Sequence, residues 1–347
     1  MPVPLKQSLR IASYILRQKA RGNRRYPLVL MLEPLFRCNL ACPGCGKVQY
    51  PEEILQKRLS AEECVAAAGE CGAPVVSIPG GEPLVHPEID VIVKELIAKK
   101  FFVYLCTNAI LLERNLGRFS PTPYLSFSVH LDGMGERHDR LVNRPGVFDT
   151  AVRAIRAARA AGFRVNTNTT LFAGADPDET ADFFDFLMSL GVEGMTVSPG
   201  YHYEKAAARE NFLDRRRTRE LFREVFRRWR KSWKFNQSPL FLDFLAGNRA
   251  YRCTPWGSPT RNVFGWQKPC YLLADGHVPT YRELLDTTDW ERCGAGRDPR
   301  CADCLMHCGY EPSAVNDIFS SPRAMLRAAR VTFSPGTLVS SRGILQE

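Results

Sequence analysis

The chain has 347 residues, 45% hydrophobic and 24% charged, a balance that excludes low-complexity and collagen-like classes. Its 47 Lys and Arg against 37 Asp and Glu leave a formal charge of +10, much of it in 6–25 and 215–234, and such basic runs suggest an anionic surface nearby, nucleic acid or phospholipid headgroups. No apolar run is long enough to span a bilayer, and Lys6, Arg10 and Arg17 interrupt the N-terminal apolar positions, which excludes a secretory signal and predicts a cytoplasmic protein.

The length exceeds one ordinary core, so the chain divides into a basic N-terminal helix (1–27), a core (28–205) and a C-terminal region (206–347). In the core, short apolar runs alternate with helical patterns. Strands are predicted over 29–33, 75–78, 102–107, 124–131, 164–171 and 195–198. Helices are predicted over 61–71, opened by Ser60 and Glu63 as a capping box, and over 88–99, 151–161 and 179–190. Six strands alternating with helices imply right-handed βαβ units and a parallel α/β sheet, with ligands at the C-terminal strand ends. Beyond residue 200 the alternation stops. A basic helix is expected over 214–233, then a Gly-, Pro- and Cys-rich stretch, 247–312, with little regular structure, where a metal crosslink would substitute for packing.

Twelve cysteines in a chain of this size without an export signal point to metal ligation, catalysis or buried thiols rather than disulfides. Cys38, Cys42 and Cys45 crowd one loop just after the first strand, a spacing that wraps the corner of an iron–sulfur cube. A structural zinc would want a fourth ligand, and within twenty residues only Cys64, on a predicted helix, is available. Three ligands leave one iron open to chelate a substrate. A second group, Cys301, Cys304 and Cys308, has Cys253, Cys270 and Cys293 upstream; an iron–sulfur cluster, a zinc site and free thiols are the alternatives there, and His307 lies adjacent.

The CxxxCxxC loop in this setting resembles the radical SAM superfamily, together with Gly80-Gly81-Glu82-Pro83 after the second strand and Thr107-Asn108-Ala109 at the end of the third. The resemblance implies a partial (β/α)6 TIM-type barrel and a [4Fe–4S] cluster on Cys38, Cys42 and Cys45. It also implies S-adenosylmethionine (SAM) as consumed co-substrate, cleaved to methionine and a 5′-deoxyadenosyl radical with an electron from a donor such as a flavodoxin or ferredoxin. Gly80, Gly81, Glu82, Asn108, Ser128 and Asn168 are the implied SAM contacts, with Asn166 two residues from Asn168 on the same strand face. The superfamily's aromatic before the third cysteine is absent; Gly44 stands there, so either the adenine is held otherwise or extra room is needed. Cys106, ending the third strand, is either a small buried hydrophobe or a hydrogen-atom donor in the SAM chamber. His130 and Asp132 are expected to be a satisfied core histidine and a turn aspartate.

Residues 42–51, 253–273 and 301–311 carry a narrower resemblance to the radical SAM proteins of hopanoid biosynthesis, the adenosylhopane synthases. It implies radical addition to the alkene of the triterpene diploptene, a new carbon–carbon bond, and quenching to adenosylhopane, which fits the space at Gly44 and the thiol of Cys106. Cys270, Cys301, Cys304 and Cys308 are the candidate second metal site. One alternative is a radical SAM maturase of peptides or small molecules with an auxiliary cluster, although only about 27 residues precede the first strand, little room for a leader-recognition domain. Another is an iron–sulfur or zinc RNA-binding protein, disfavoured because the aromatics of 215–234 recur at helical burial spacing rather than on a platform; no nucleic-acid partner is expected. That helix, and the stripe Leu5, Leu9, Ala12 and Leu16 in the first one, can each lie on an anionic membrane at the inner face of the cytoplasmic membrane or dock on the protein.

Overall fold

The computed structural model describes residues 3–201 and 211–333, so the expected boundary at 205 lies outside the described residues. The first half runs α1 (Leu5–Ala20), β1 (Val29–Leu32), α2 (Glu52–Leu55), α3 (Ala61–Cys71), β2 (Val75–Ile78), α4 (Ile89–Ala98), β3 (Phe102–Thr107), α5 (Leu112–Asn115), β4 (Leu125–His130), α6 (Gly135–Leu141), α7 (Val147–Ala160), β5 (Arg164–Leu171), α8 (Pro177–Ser189) and β6 (Met195–Pro199). It continues as α9 (Arg215–Arg227), α10 (Pro239–Leu245), β7 (Thr260–Asn262), β8 (Gly265–Pro269), β9 (Ala274–Val278), α11 (Tyr281–Thr287), α12 (His307–Ile318) and α13 (Pro322–Phe333). The capping box forms as expected, Ser60 Oγ accepting from the Glu63 amide at 3.1 Å and Glu63 Oε2 from the Ser60 amide at 2.7 Å.

The strands form one open sheet in the order β6-β5-β4-β3-β2-β1-β7-β8-β9, parallel from β6 through β7 and antiparallel beyond. Register sorts the two faces. Leu30, Val76, Val103, Leu125 and Phe127, with Val165 opposite Phe127, face the helices and are buried. The alternate positions stack polar groups in rows: Ser77, Tyr104, Ser126 and Arg164; then Cys106, Ser128 and Asn166; then His130, Asn168 and Thr196. The second set lines the concave face. Near its N-terminal end α1 closes in, with Gln7 Nε2 donating to the Tyr104 hydroxyl at 3.0 Å.

Two expectations need correcting. The stretch 247–312 is not irregular: β7 lies parallel to β1 and extends the sheet into a hairpin. These strands hide in the sequence because they are short and polar (Thr-Arg-Asn for β7), and backbone pairing needs no apolar alternation. The basic helix ends at Arg227, and the chain then turns so that Trp229 packs with Phe226 and Phe235, and Trp233 with Phe235 and Phe184. Phe222, Val225, Phe226 and Trp233 are buried, while Arg228 and Arg230 meet Asp178, Asp182 and Asp185 on α8. This helix docks on the protein, which removes its apolar face from both the membrane and the RNA readings. Among the described residues no helix is long and apolar enough to cross a membrane.

Candidate functional site

The loop after β1 brings Cys38, Cys42 and Cys45 to the C-terminal edge of the sheet. All three are partly buried free thiols, close enough that Cys45 raises the proton affinity of Cys38 and, with Cys38, that of Cys42. Burial first, then charged neighbours including one another, pushes Cys38 up to about 11 and Cys42 up to about 12, so thiolates here require a cation to replace the protons. Amide donors point at the sulfurs: Leu40 N to Cys38 Sγ and Lys47 N to Cys45 Sγ, each 3.4 Å, with Asn108 Nδ2 3.8 Å from Cys38 Sγ. Such donors stabilise sulfur carrying negative charge, as in a cluster. Among the described residues no three His, Cys, Asp or Glu side chains converge on one ion position. A cube, which gives each thiolate its own iron, asks for wider spacing.

Gly80-Gly81-Glu82 runs against this loop, Gly81 N donating to Leu35 O and Glu82 N to Arg37 O, both at 2.9 Å. A Cβ on Gly81 would stand 2.2 Å from Arg37 O and 2.3 Å from Phe36 O, so only glycine lets the two backbones approach. Glu82 is buried, its carboxylate accepting from Leu84 N, Thr107 Oγ1 and Asn108 N at 2.8–3.0 Å. Burial raises it to about 7. It braces β2 against the end of β3, and the backbone of Gly80–Glu82 is the part that meets the cysteine loop. Asn108 joins the same brace, donating to Asn39 Oδ1 at 2.7 Å.

Cys106 lies one row below, its Sγ 3.5 Å from Ser77 Oγ and opposite Ser128 across β3–β4. Burial raises this thiol and keeps it protonated, while it stays partly open to the concave face. Ser128 and Asn166 are buried beside it, and Asn168 is partly exposed in the row above. His130 Nε2 is 2.7 Å from Asp132 Oδ2, and Asp132 also accepts from Thr170 N at 2.7 Å and donates its amide to His138 Nδ1 at 3.1 Å. Burial opposes charge on His130, but the Asp132 carboxylate outweighs it and holds the imidazole above its usual range. The pair is therefore internally satisfied, tying β4 to β5. Gly44 faces an aromatic after all: Phe172, just past β5, would sit 3.6 Å from a Cβ at 44, and a Cβ on Gly200 would meet the same ring at 2.5 Å.

Sequence reasoning passed over Ser77, Asn39, Lys47 and Phe172. Ser77 was detectable as the one polar residue in the strand Val-Val-Ser-Ile. Lys47 pairs with buried Glu33 at 2.9 Å and stands over the rings of Phe36 and Tyr271, joining the cysteine loop to the C-terminal region. That contact had no local signal.

The later cysteines come together more fully than their spacing suggests. Cys253, Cys270, Cys293, Cys301, Cys304 and Cys308 all line one cavity with Tyr201 and Tyr310. Gln267 Nε2 holds the Cys270 loop through the carbonyls of Cys270, Tyr271 and Leu273, and Arg300 grips Asp275 with both terminal nitrogens. A Cβ on Gly309 would stand 2.4 Å from Cys253 Sγ, so the glycine makes room for that sulfur. Burial, then the neighbouring thiols, raises Cys253 well above the usual range, and Cys308, Cys270 (about 12) and Cys293 (about 11) follow for the same reasons. His307 turns away, its Nδ1 2.9 Å from Ser198 Oγ, and burial lowers it to about 4.

Residues 32–187 match the model of the radical SAM superfamily, and 195–328 match a domain of unknown function, DUF3463. GTP 3′,8-cyclase 1 of Mycobacterium tuberculosis is 29% identical over 207 residues, 53% of this chain and 56% of its own length. Mycofactocin maturase MftC of the same organism is 32% identical over 142 residues, 40% of this chain and 36% of its own. The chain thus spans about half, or less, of the length of these curated relatives. Among solved structures, Streptococcus suis SuiB bound to precursor peptide SuiA superposes with a TM-score of 0.64 at 16% identity, covering 88% of this chain and 76% of that one. The anSMEcpe enzyme with bound AdoMet gives 0.58 at 15%, covering 90% and 98%. These likenesses show the fold, a parallel α/β sheet of the partial-barrel kind. With the three-cysteine loop and the glycine-rich turn, the match identifies residues 32–187 as a radical SAM segment, the kind that uses a [4Fe–4S] cluster and SAM.

Proposed function

We propose that the chain adds the 5′-deoxyadenosyl group of SAM to the alkene of a triterpene, diploptene, giving adenosylhopane, with Cys106 delivering the final hydrogen atom. The observation that carries this reading is the thiol of Cys106, protonated, partly open and flanked by Ser77 and Ser128 on the concave face. Cys38, Cys42 and Cys45 would hold the cluster, which would supply the electron for reductive cleavage of SAM to methionine and the adenosyl radical. Asn108 and the backbone of Gly80–Glu82 hold the cysteine loop and SAM in place; Ser128 and Asn168 offer polar contacts to the nucleoside. Addition to an alkene leaves a tertiary carbon radical. Cys106 S–H gives its hydrogen to that carbon, and the thiyl radical takes an electron and a proton from the reductant.

A second reading, a maturase of peptides or small molecules with an auxiliary cluster, is the one the relatives favour, since they include a maturase and a peptide-bound structure. The cavity of six cysteines suits either, because four thiolates suffice for a second cube. Anaerobic incubation with SAM, reductant and diploptene, followed by mass spectrometry, separates them: adenosylhopane is expected, and release of 5′-deoxyadenosine without adduct would leave the maturase. Cys106→Ala is expected to keep SAM cleavage while saturated adduct falls at least about tenfold; an unchanged yield removes the donor role.

A further inference from the structure

Among the described residues, the three most exposed large apolar side chains lie on one helix: Leu5 at 61%, Leu9 at 61% and Leu16 at 57%. Ala12 completes their stripe, and Gln7 and Ile15 on the opposite side are buried, so α1 is already docked by its other face. The outward stripe is surplus to folding. Helical geometry sets Lys6, Arg10 and Arg17 along one flank of it and Lys19 along the other; Lys6 also stands 4.8 Å over the Tyr124 ring and Lys19 donates to Phe319 O at 3.1 Å, so the arginines are the cations offered outward. Residues 1–27 contain seven Lys and Arg and not one Asp or Glu. An apolar ridge flanked by cations and clear of carboxylates complements a surface that is apolar within and anionic at its face, which is a bilayer containing acidic phospholipid.

We propose that α1 lies in the headgroup layer of an anionic membrane, with Leu5, Leu9, Ala12 and Leu16 toward the acyl chains and Arg10 and Arg17 on the phosphates. Helix α9 provides the contrast: more basic still, it has its apolar residues inside the protein. The inference does not rest on the substrate reading, because vesicles without substrate test it. The full chain is sedimented with vesicles of phosphatidylcholine alone and of phosphatidylcholine with phosphatidylglycerol. Binding is expected only to the second, weakening as salt rises, and to fall about a hundredfold in Leu5→Ser/Leu9→Ser/Leu16→Ser while SAM cleavage is kept. Should that variant fold poorly, Arg10→Glu/Arg17→Glu tests the flank, with about a tenfold loss expected. No binding at low salt, binding indifferent to lipid charge, or binding equal in both variants overturns the proposal. Overturning it equally, in favour of a second copy of the chain, would be a dimer in sedimentation velocity that the leucine variant dissociates while wild type ignores vesicles.

Discussion

Phe172 occupies ground that Gly44 and Gly200 leave open, its ring in contact distance of one and impossible beside any larger residue at the other. In the superfamily pattern an aromatic side chain next to the third cysteine packs near the adenine; here a ring from the end of β5 reaches that neighbourhood from across the chamber. Phe172→Ala is expected to weaken SAM binding about tenfold, the worth of one aromatic face against a base, as followed by equilibrium dialysis on reconstituted protein. Gly44→Tyr should weaken it too, because the new ring collides with the old, and Gly44→Tyr with Phe172→Ala should recover most of the loss. Additive losses in the double variant would show the two positions to be independent.

Helix α10 depends on one buried carboxylate. Asp243 accepts from Asn248, Arg249 and Arg327 at 2.6–3.0 Å, so a single side chain ties α10 to the loop after it and to α13. Asp243→Ala removes the partner that Arg249 and Arg327 share, while Arg249 keeps Asp317 at 2.8 Å, and is expected to cost about 2–3 kcal/mol in urea unfolding; a cost below about 1 kcal/mol would mean the remaining partners and water replace the carboxylate. Elements of this kind mark the limit of what the sequence discloses. Strands β1 to β6 were legible because Val, Ile and Leu alternate with turns, and the cap at Ser60 because its chemistry is local. Asp243 looked like any polar residue in Pro-Leu-Phe-Leu-Asp-Phe-Leu, since the partner that ties it to α13, Arg327, comes from 84 residues away. The three-cysteine loop was readable from its spacing and the GGEP turn from its place after the second strand within the family resemblance, whereas Ser77 beside Cys106 emerges only from strand register.

At the scale of the molecule, two groups of cysteines are tied to one continuous sheet, the first on the loop after β1 and the second through Cys270 just past the end of β8. If each holds a cube, the reconstituted chain carries about eight irons. Cys301→Ala/Cys304→Ala is expected to retain about four, with SAM cleavage traceable to the N-terminal centre; iron analysis with electron paramagnetic resonance checks this, and an undiminished iron content would leave the C-terminal thiols as bystanders. The two centres are coupled structurally through Lys47, which spans from Glu33 to the ring of Tyr271.

Because β1 is flanked by β2 on one side and β7 on the other, the strand that launches the cysteine loop is interior to the sheet only while the C-terminal region is present. The core is therefore not a module to be lifted out and refitted. Without Thr260–Asn262 alongside, Met31 and Leu32 would offer bare amides and carbonyls to any passing chain. A chimaera that borrows another protein's tail must bring a strand of matching direction and length to that seam, whatever chemistry it hopes to import.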